Sequence, residues 1–244
     1  NSVDSEKFKH KIHTVRYTVS SKSENLDNKD TSTIRILFLG SMNAANLLSY
    51  EFKGIYETVE AFIELQKEFD NLELVIRSIV PNTLKEKCKK FPNIKILETF
   101  LTEKQLSNLF RSSHIFPHSG FEVLNLSVLE AMSYGLPVIG TSLYSVPEAI
   151  QHMKNGLLIE LPNPKLFYTK YNTPNDYSKS FLDNMRKLRP FMIKKIKESM
   201  KILIEDSSLR IRLGKEASMT IQNGKFSVKQ RNEFLKEILE SATK

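Results

Sequence analysis

Short apolar runs recur along this chain, and helix-patterned segments separate them. The first run, Ile34-Arg-Ile-Leu-Phe-Leu-Gly40, ends in a glycine. Near-continuous apolar character over so short a length marks a strand buried on both faces, as in a parallel sheet. Residues 72–76, 94–97, 114–116, 137–141 and 156–161 read the same way. Between them lie helical patterns. Val59, Phe62, Ile63 and Leu65 fall near one stripe of a helix over 55–69. A short basic helix follows at 82–90. Thr102, with Glu103 and Gln105 behind it, suits the N-cap of a helix ending at Arg111. A helix over 126–134 is stopped by Gly135, and another spans 146–152. Strand and helix alternate throughout, which fixes the fold class as α/β, a doubly wound parallel sheet covered on both faces. Such sheets bind ligands beyond the C-terminal ends of their strands.

The flanks read differently. Residues 1–32 are polar and form a linker, with one short strand where Val15, Tyr17 and Val19 alternate. The sheet domain occupies 33–161. Residues 162–187 are an ordered insertion or a loop. Apolar faces at Ile193, Ile196, Met200 and Leu203, then at Leu209, Leu213 and Ala217, then within 226–239, make 188–244 a set of helices packing on the same domain. With 40% hydrophobic residues in 244, a sizeable core is available. The apolar runs are far shorter than a membrane span, and the polar stretch 1–11 shows no signal peptide. The lone cysteine, Cys88, rules out an internal disulfide and any cysteine-based metal cluster. It reads as a bystander and fits a reducing compartment. The net charge is +8, but the lysines are spread along the chain, which favours solvated helix faces. Attraction to anionic lipid headgroups or phosphate-bearing substrates is the second reading, and nucleic acid is set aside.

The chemistry concentrates in Glu122-Val-Leu-Asn-Leu-Ser-Val-Leu-Glu130. Asn125 stands where it caps a helix starting at Leu126. The free N–H groups and positive dipole end of that helix suit a diphosphate. Glu130 lies about 6 Å along the axis, where a carboxylate can accept two hydrogen bonds from a ribose diol. Glu122, on the loop before the helix, can accept bonds from a sugar beyond the phosphates. On spacing alone, the better reading is an exposed loop glutamate and a helix glutamate paired with a lysine.

Several motifs in order change that weighting. The run from Glu122 through Leu129-Glu-Ala-Met-Ser-Tyr-Gly-Leu-Pro-Val-Ile139 resembles the Glu-x7-Glu signature of family 4 glycosyltransferases. Val146-Pro-Glu148 and Asn155-Gly-Leu-Leu158 resemble that family's next elements. Lys53-Gly54 resembles its phosphate-binding Lys-Gly. Leu101-Thr-Glu-Lys-Gln-Leu106 resembles the segment before the donor site, and 206–217 its terminal helices. Asn1-Ser-Val-Asp-Ser-Glu-Lys-Phe8 resembles the linker between the family's two halves, so 1–32 would be an interdomain linker. The likeness covers nearly all of the chain except 9–32 and 162–187.

The resemblance implies a Rossmann-like GT-B C-terminal domain, the donor half of a retaining hexosyltransferase. The N-terminal acceptor domain would be missing, leaving an isolated and inactive donor domain or one half of a split enzyme. Lys53 and Glu122 would be catalytic, with Lys53 neutralising the diphosphate and Glu122 holding sugar hydroxyls. Glu130, Val123, Leu124, Asn125, Leu126, Gly40 and Ser41 would bind the donor. The leaving diphosphate helps to accept the acceptor's proton, so the protein positions groups and stabilises charge. No cofactor and no metal are expected; a UDP- or GDP-hexose is the substrate. The partners implied are that donor and a glycan or lipid acceptor held by the missing domain, with peripheral membrane contact as an option and no nucleic acid. The expected place is the cytoplasm or the membrane surface. His118 reads as a strand-end histidine without a role.

Three departures stand out. The family places Arg where Ser41 stands, so a phosphate contact is lost unless another basic residue substitutes. It places glycines where Val123 and Asn125 stand, and glycine admits closer ligand approach. The connection from Ser41 to Phe52 is longer than usual. They favour a second reading, a non-catalytic nucleotide-sugar-binding or scaffolding module. A dinucleotide-dependent oxidoreductase is set aside, because no G-x-G-x-x-G follows the first strand.

Overall fold

A computed structural model describes residues 13–22, 32–42, 49–168 and 178–242. Among the described residues, six strands lie in two three-stranded parallel sheets. The first has β1 (Ile34–Leu39), β2 (Leu72–Arg77) and β3 (Ile94–Leu97), with Ile34 opposite Leu72 and Leu74 opposite Ile94. The second has β4 (Phe116–His118), β5 (Val138–Thr141) and β6 (Gly156–Ile159), with Val138 facing both Phe116 and Gly156. A parallel bridge between Ile36 and Ile115 joins them, so the spatial order is β3-β2-β1-β4-β5-β6. That order reverses direction between β1 and β4, the switch point where doubly wound sheets open a crevice.

Alternation along the strands divides the core. Ile34, Ile36 and Phe38 of β1 face one side with Leu74 and Ile76 of β2; Leu37 and Val75 face the other. The first side is covered by α2 (Ile55–Leu65), α3 (Asn82–Cys88) and α7 (Lys179–Glu205), whose Met192, Ile196 and Met200 share a cluster with Val59 and Phe62. The second side is covered by α4 (Glu103–Arg111), α5 (Leu126–Ser133), α6 (Val146–Ala149) and α8 (Ser207–Gln222). Helix α1 (Ser49–Phe52) leads into α2, and α9 (Val228–Ala242) ends the described chain with no buried residue. No described helix is long and apolar enough to cross a membrane.

Several boundaries differ from the sequence expectation, each for a physical reason. The fourth strand was expected at 114–116 but its ladder runs Phe116–His118. His114 and Ile115 are spent on β1 instead, through His114 N–H to Arg35 C=O at 2.8 Å and Leu37 N–H to Ile115 C=O at 2.9 Å. The helix expected over 146–152 stops at Ala149. The buried amide of Asn155 ends it, donating to Ala149 C=O at 2.9 Å and accepting from Gln151 N–H at 2.7 Å. Val15, Tyr17 and Val19 form no strand; side-chain contacts described below tie this segment to the sheet domain. Within 162–187, Phe167 is buried in a 3-10 turn at Pro164–Phe167, and α7 already begins at Lys179 under a Ser178 cap. The linker-like motif at 1–8 lies outside the described residues, as do 9–12, 23–31 and 169–177.

Many lysines are paired. Lys197 and Lys201 of α7 meet Glu64 and Glu68 around α2, and Lys87 meets Glu60. Cys88 is buried, and burial pushes its thiol up to about 11, which leaves it unreactive near neutral pH.

Candidate functional site

Two loops distant in sequence lock together at the carboxyl edge of the sheet. One follows α1 and carries Lys53-Gly54; the other follows β4 and carries Ser119 to Asn125. Gly54 has φ +74, a left-handed conformation that side chains rarely adopt. Gly120 approaches so closely that a Cβ there would stand 2.0 Å from Phe52 C=O. Phe121 N–H donates to that same carbonyl at 2.6 Å. Beneath them the Thr58 hydroxyl donates to Gly54 C=O at 2.8 Å and lies 3.2 Å from Ser119 Oγ. The Phe121 ring is buried against Phe167 and Phe181. The consequence is an ion pair across 69 residues: Lys53 Nζ stands 2.8 Å from Glu122 Oε2. Helix α7 steadies this arrangement, because Arg186 and Arg189 both clasp Glu51, two residues before Lys53.

The helix that follows starts as the sequence indicates. Asn125 caps α5, its Oδ1 accepting from Val128 N–H at 3.3 Å and from Ser127 Oγ at 2.6 Å. Among the described residues only Tyr144 and Met153 combine a side chain with positive φ. Val123 and Asn125 therefore sit where glycines were expected without backbone strain; what they change is the room above the loop. Val123 and Leu126 both expose their side chains. Leu124 is buried and used on both sides. Its N–H donates to Ser145 Oγ at 3.1 Å, and its C=O accepts from the Tyr17 hydroxyl. The backbone donors near this helix start are thus reduced by one relative to the expectation.

Glu130 lies four residues into α5 and is half-buried. Burial raises its carboxyl pKa, with Lys22 acting the other way. It lines a cavity of about 280 Å³ with Val19, Lys22, Leu106, Phe110 and Tyr134. Phe110 and Tyr134 stack at 5.1 Å to form its apolar wall. The segment 13–22 passes over this region, tied by Tyr17 to Leu124 and by Arg16 to Glu148 at 3.5 Å.

Gly40 and Ser41 follow β1 at the same edge. Ser41 C=O accepts from Ser78 Oγ at 3.0 Å and from Ile79 N–H at 2.9 Å, which fixes the turn. One strand over, Arg77 places its guanidinium 5.8 Å from the Phe100 ring, and its buried Nε has no hydrogen-bond partner. The structure thus brings Lys53 to Glu122 and sets both beside the α5 start. Sequence reasoning missed the contacts of Tyr17, Lys22, Ser145 and Arg77. Only Arg77 carried a local signal, a charge closing an apolar strand. His118 ends β4 as expected, but its Nδ1 also lies 3.4 Å from Glu122 Oε1.

Taken together, fold and site define a doubly wound α/β domain with a polar, cation-bearing crevice at its carboxyl strand ends. Residues 33–173 match the pattern of the family described as "Glycosyl transferases group 1", and the chain belongs to that family. The C-terminal domain of a glycosyl transferase group 1 family protein, LpcC of Francisella tularensis, is similar at 20% identity and TM-score 0.56, over 78% of this chain and 85% of that one. HepE of Anabaena, solved with UDP, is similar at 15% identity and TM-score 0.59, over 86% of this chain and 49% of that one. The pneumococcal O-GlcNAc transferase GtfA, solved with UDP and GlcNAc, gives 18% and 0.60, over 91% and 38%. The chain thus spans at most about half the length of the latter two. At these identities the likeness shows the fold, that of the GT-B C-terminal Rossmann-like domain. No curated protein sequence matches the chain significantly.

Proposed function

We propose that this chain is the donor domain of a retaining, family 4 hexosyltransferase, with Glu122 and Glu130 as its Glu-x7-Glu pair. The observation that carries the reading is the Lys53–Glu122 pair at 2.8 Å, built by two interlocked loops at the sheet's switch point. A cation and a carboxylate side by side beside a helix start fit a ligand that is anionic at one end and hydroxylated at the other. Lys53 would take the diphosphate of a UDP- or GDP-hexose, with the Leu126 end of α5 assisting. Glu122 would accept sugar hydroxyls, and Glu130 in its cavity would accept the ribose diol. Val123, Leu124 and Asn125 shape the loop, and Gly40-Ser41 floors the crevice. Residues 33–161 would form the binding domain, the helices from Lys179 onward its helical support, and 1–32 an interdomain linker. The acceptor, a glycan or lipid, would be held by an N-terminal domain, in the cytoplasm or at a membrane surface. Transfer would be metal-independent, and the domain inactive without that partner domain.

Substitution separates the roles. Glu130→Ala is expected to weaken free nucleotide and nucleotide sugar alike, by about tenfold or more, tenfold being the low end for one hydrogen bond to a charged acceptor. Glu122→Ala is expected to weaken nucleotide sugar chiefly. Unchanged affinities in both variants, measured by titration calorimetry, would place the site elsewhere.

A second reading, a binding or scaffolding module without catalysis, is favoured by two features. Leu124 N–H is already engaged by Ser145, and no arginine stands at Ser41. Ser145→Ala distinguishes them, since a catalytic donor site gains a free N–H and tightens on nucleotide.

A further inference from the structure

The donor reading leaves one buried titratable group unused. His118 closes β4, only 5% of its side chain is exposed, and its Nδ1 lies 3.4 Å from Glu122 Oε1. Lys53 holds the other oxygen, Oε2, at 2.8 Å. One carboxylate is thus divided between two side chains of different character. The imidazole is enclosed, with Nε2 fully buried, so packing sets its position. Lys53 is partly exposed on a flexible four-carbon stem and can turn to a new partner.

We propose that His118 is the positioning residue for Glu122, holding that carboxylate in place when Lys53 turns to the diphosphate of a bound nucleotide sugar. The inference rests on the nucleotide-sugar reading. A diphosphate competes with Glu122 for Lys53. Once Lys53 is drawn away, a half-buried carboxylate without a partner is costly and would swing toward water. Sugar hydroxyls would then meet a moving acceptor. An enclosed imidazole whose Nδ1 already stands 3.4 Å from Oε1 needs only a short closure to become that partner, and this limits the freedom of the carboxylate.

Electrostatics point the same way. Burial pushes the imidazole pKa down; Glu122 and a hydrogen bond with the Val123 backbone oppose this, and Lys53 adds to the lowering. When a diphosphate neutralises Lys53, one of the influences against protonation is relieved. Binding should therefore shift His118 toward its protonated form. A residue that merely fills space would show no such uptake.

The test is titration calorimetry of the whole chain with UDP, UDP-glucose, GDP and GDP-mannose. Two buffers of different ionisation enthalpy at pH 6 give the proton count. The wild-type chain is expected to take up protons on binding its nucleotide sugar. His118→Leu, which keeps the site apolar and filled, is expected to lower nucleotide-sugar affinity about tenfold and free-nucleotide affinity less than about twofold, and to abolish the uptake. His118→Asn, with an amide nitrogen where Nδ1 stands, is expected to restore most of the sugar affinity without the uptake. If the leucine variant does not fold, the asparagine variant and the wild-type proton count decide. Equal losses for nucleotide and nucleotide sugar, or no uptake by the wild type, overturn the proposal. Binding of neither ligand class by the wild type overturns the donor reading itself.

Discussion

Gly120 carries a role that no local pattern announces. Its missing Cβ lets the chain pass within contact of Phe52 C=O, and this contact seats Glu122 beside Lys53. Gly120→Ala would put a methyl 2.0 Å from that carbonyl and force the loops apart. A loss of about 2 kcal/mol or more in urea unfolding is expected, the cost of overpacking against backbone, together with loss of nucleotide-sugar binding. Native stability in that variant would show that the loops are not interlocked as described. Asn125 is the opposite case, since a cap is written in adjacent residues and could be read directly. His118 falls between: its place at a strand end was legible, while its contact with Glu122 depends on where the ladder starts. The interlock escaped the sequence because its two glycines lie in separate loops, and only the fold brings them together.

At the scale of elements, the strands were legible because burial on both faces leaves a plain apolar run. Boundaries failed where a side chain overrode the pattern, as Asn155 does at the end of α6. The start of α7 was hidden because Lys179 to Lys187 offers few apolar residues beyond Phe181, Leu182 and Met185. That early start is what carries Arg186 and Arg189 to Glu51. Their clasp lowers the Glu51 carboxyl pKa, chiefly through the Arg186 hydrogen bonds, with burial opposing. The folded pKa lies below the unfolded value of about 4.3, so the stabilisation is present above that pH and is lost as pH falls through the folded value. Glu51→Gln should therefore flatten the decline in stability on the acid side, read by urea midpoints between pH 5 and pH 3. An unchanged slope would show that α1 is not tied to α7 through this carboxylate.

For the whole molecule, the α/β class and its helical cover followed from the alternation of runs, and so did the edge of the sheet where a ligand should bind. What required the structure was the assembly of that edge. Residues from the β1–α2 connection, the β4–α5 loop and the segment 13–22 meet there, and Tyr17 and Lys22 lie over the face that carries Glu130. Under the proposed function, this crevice binds a nucleoside diphosphate through Lys53 and Glu130. Titration calorimetry of the unmodified chain against UDP, GDP and ADP, with and without EDTA, tests it most directly. Saturable binding of UDP or GDP is expected, insensitive to EDTA, weakening as salt rises and lost in Lys53→Met. Absence of binding to all three nucleotides, or binding that Lys53→Met leaves intact, would contradict it.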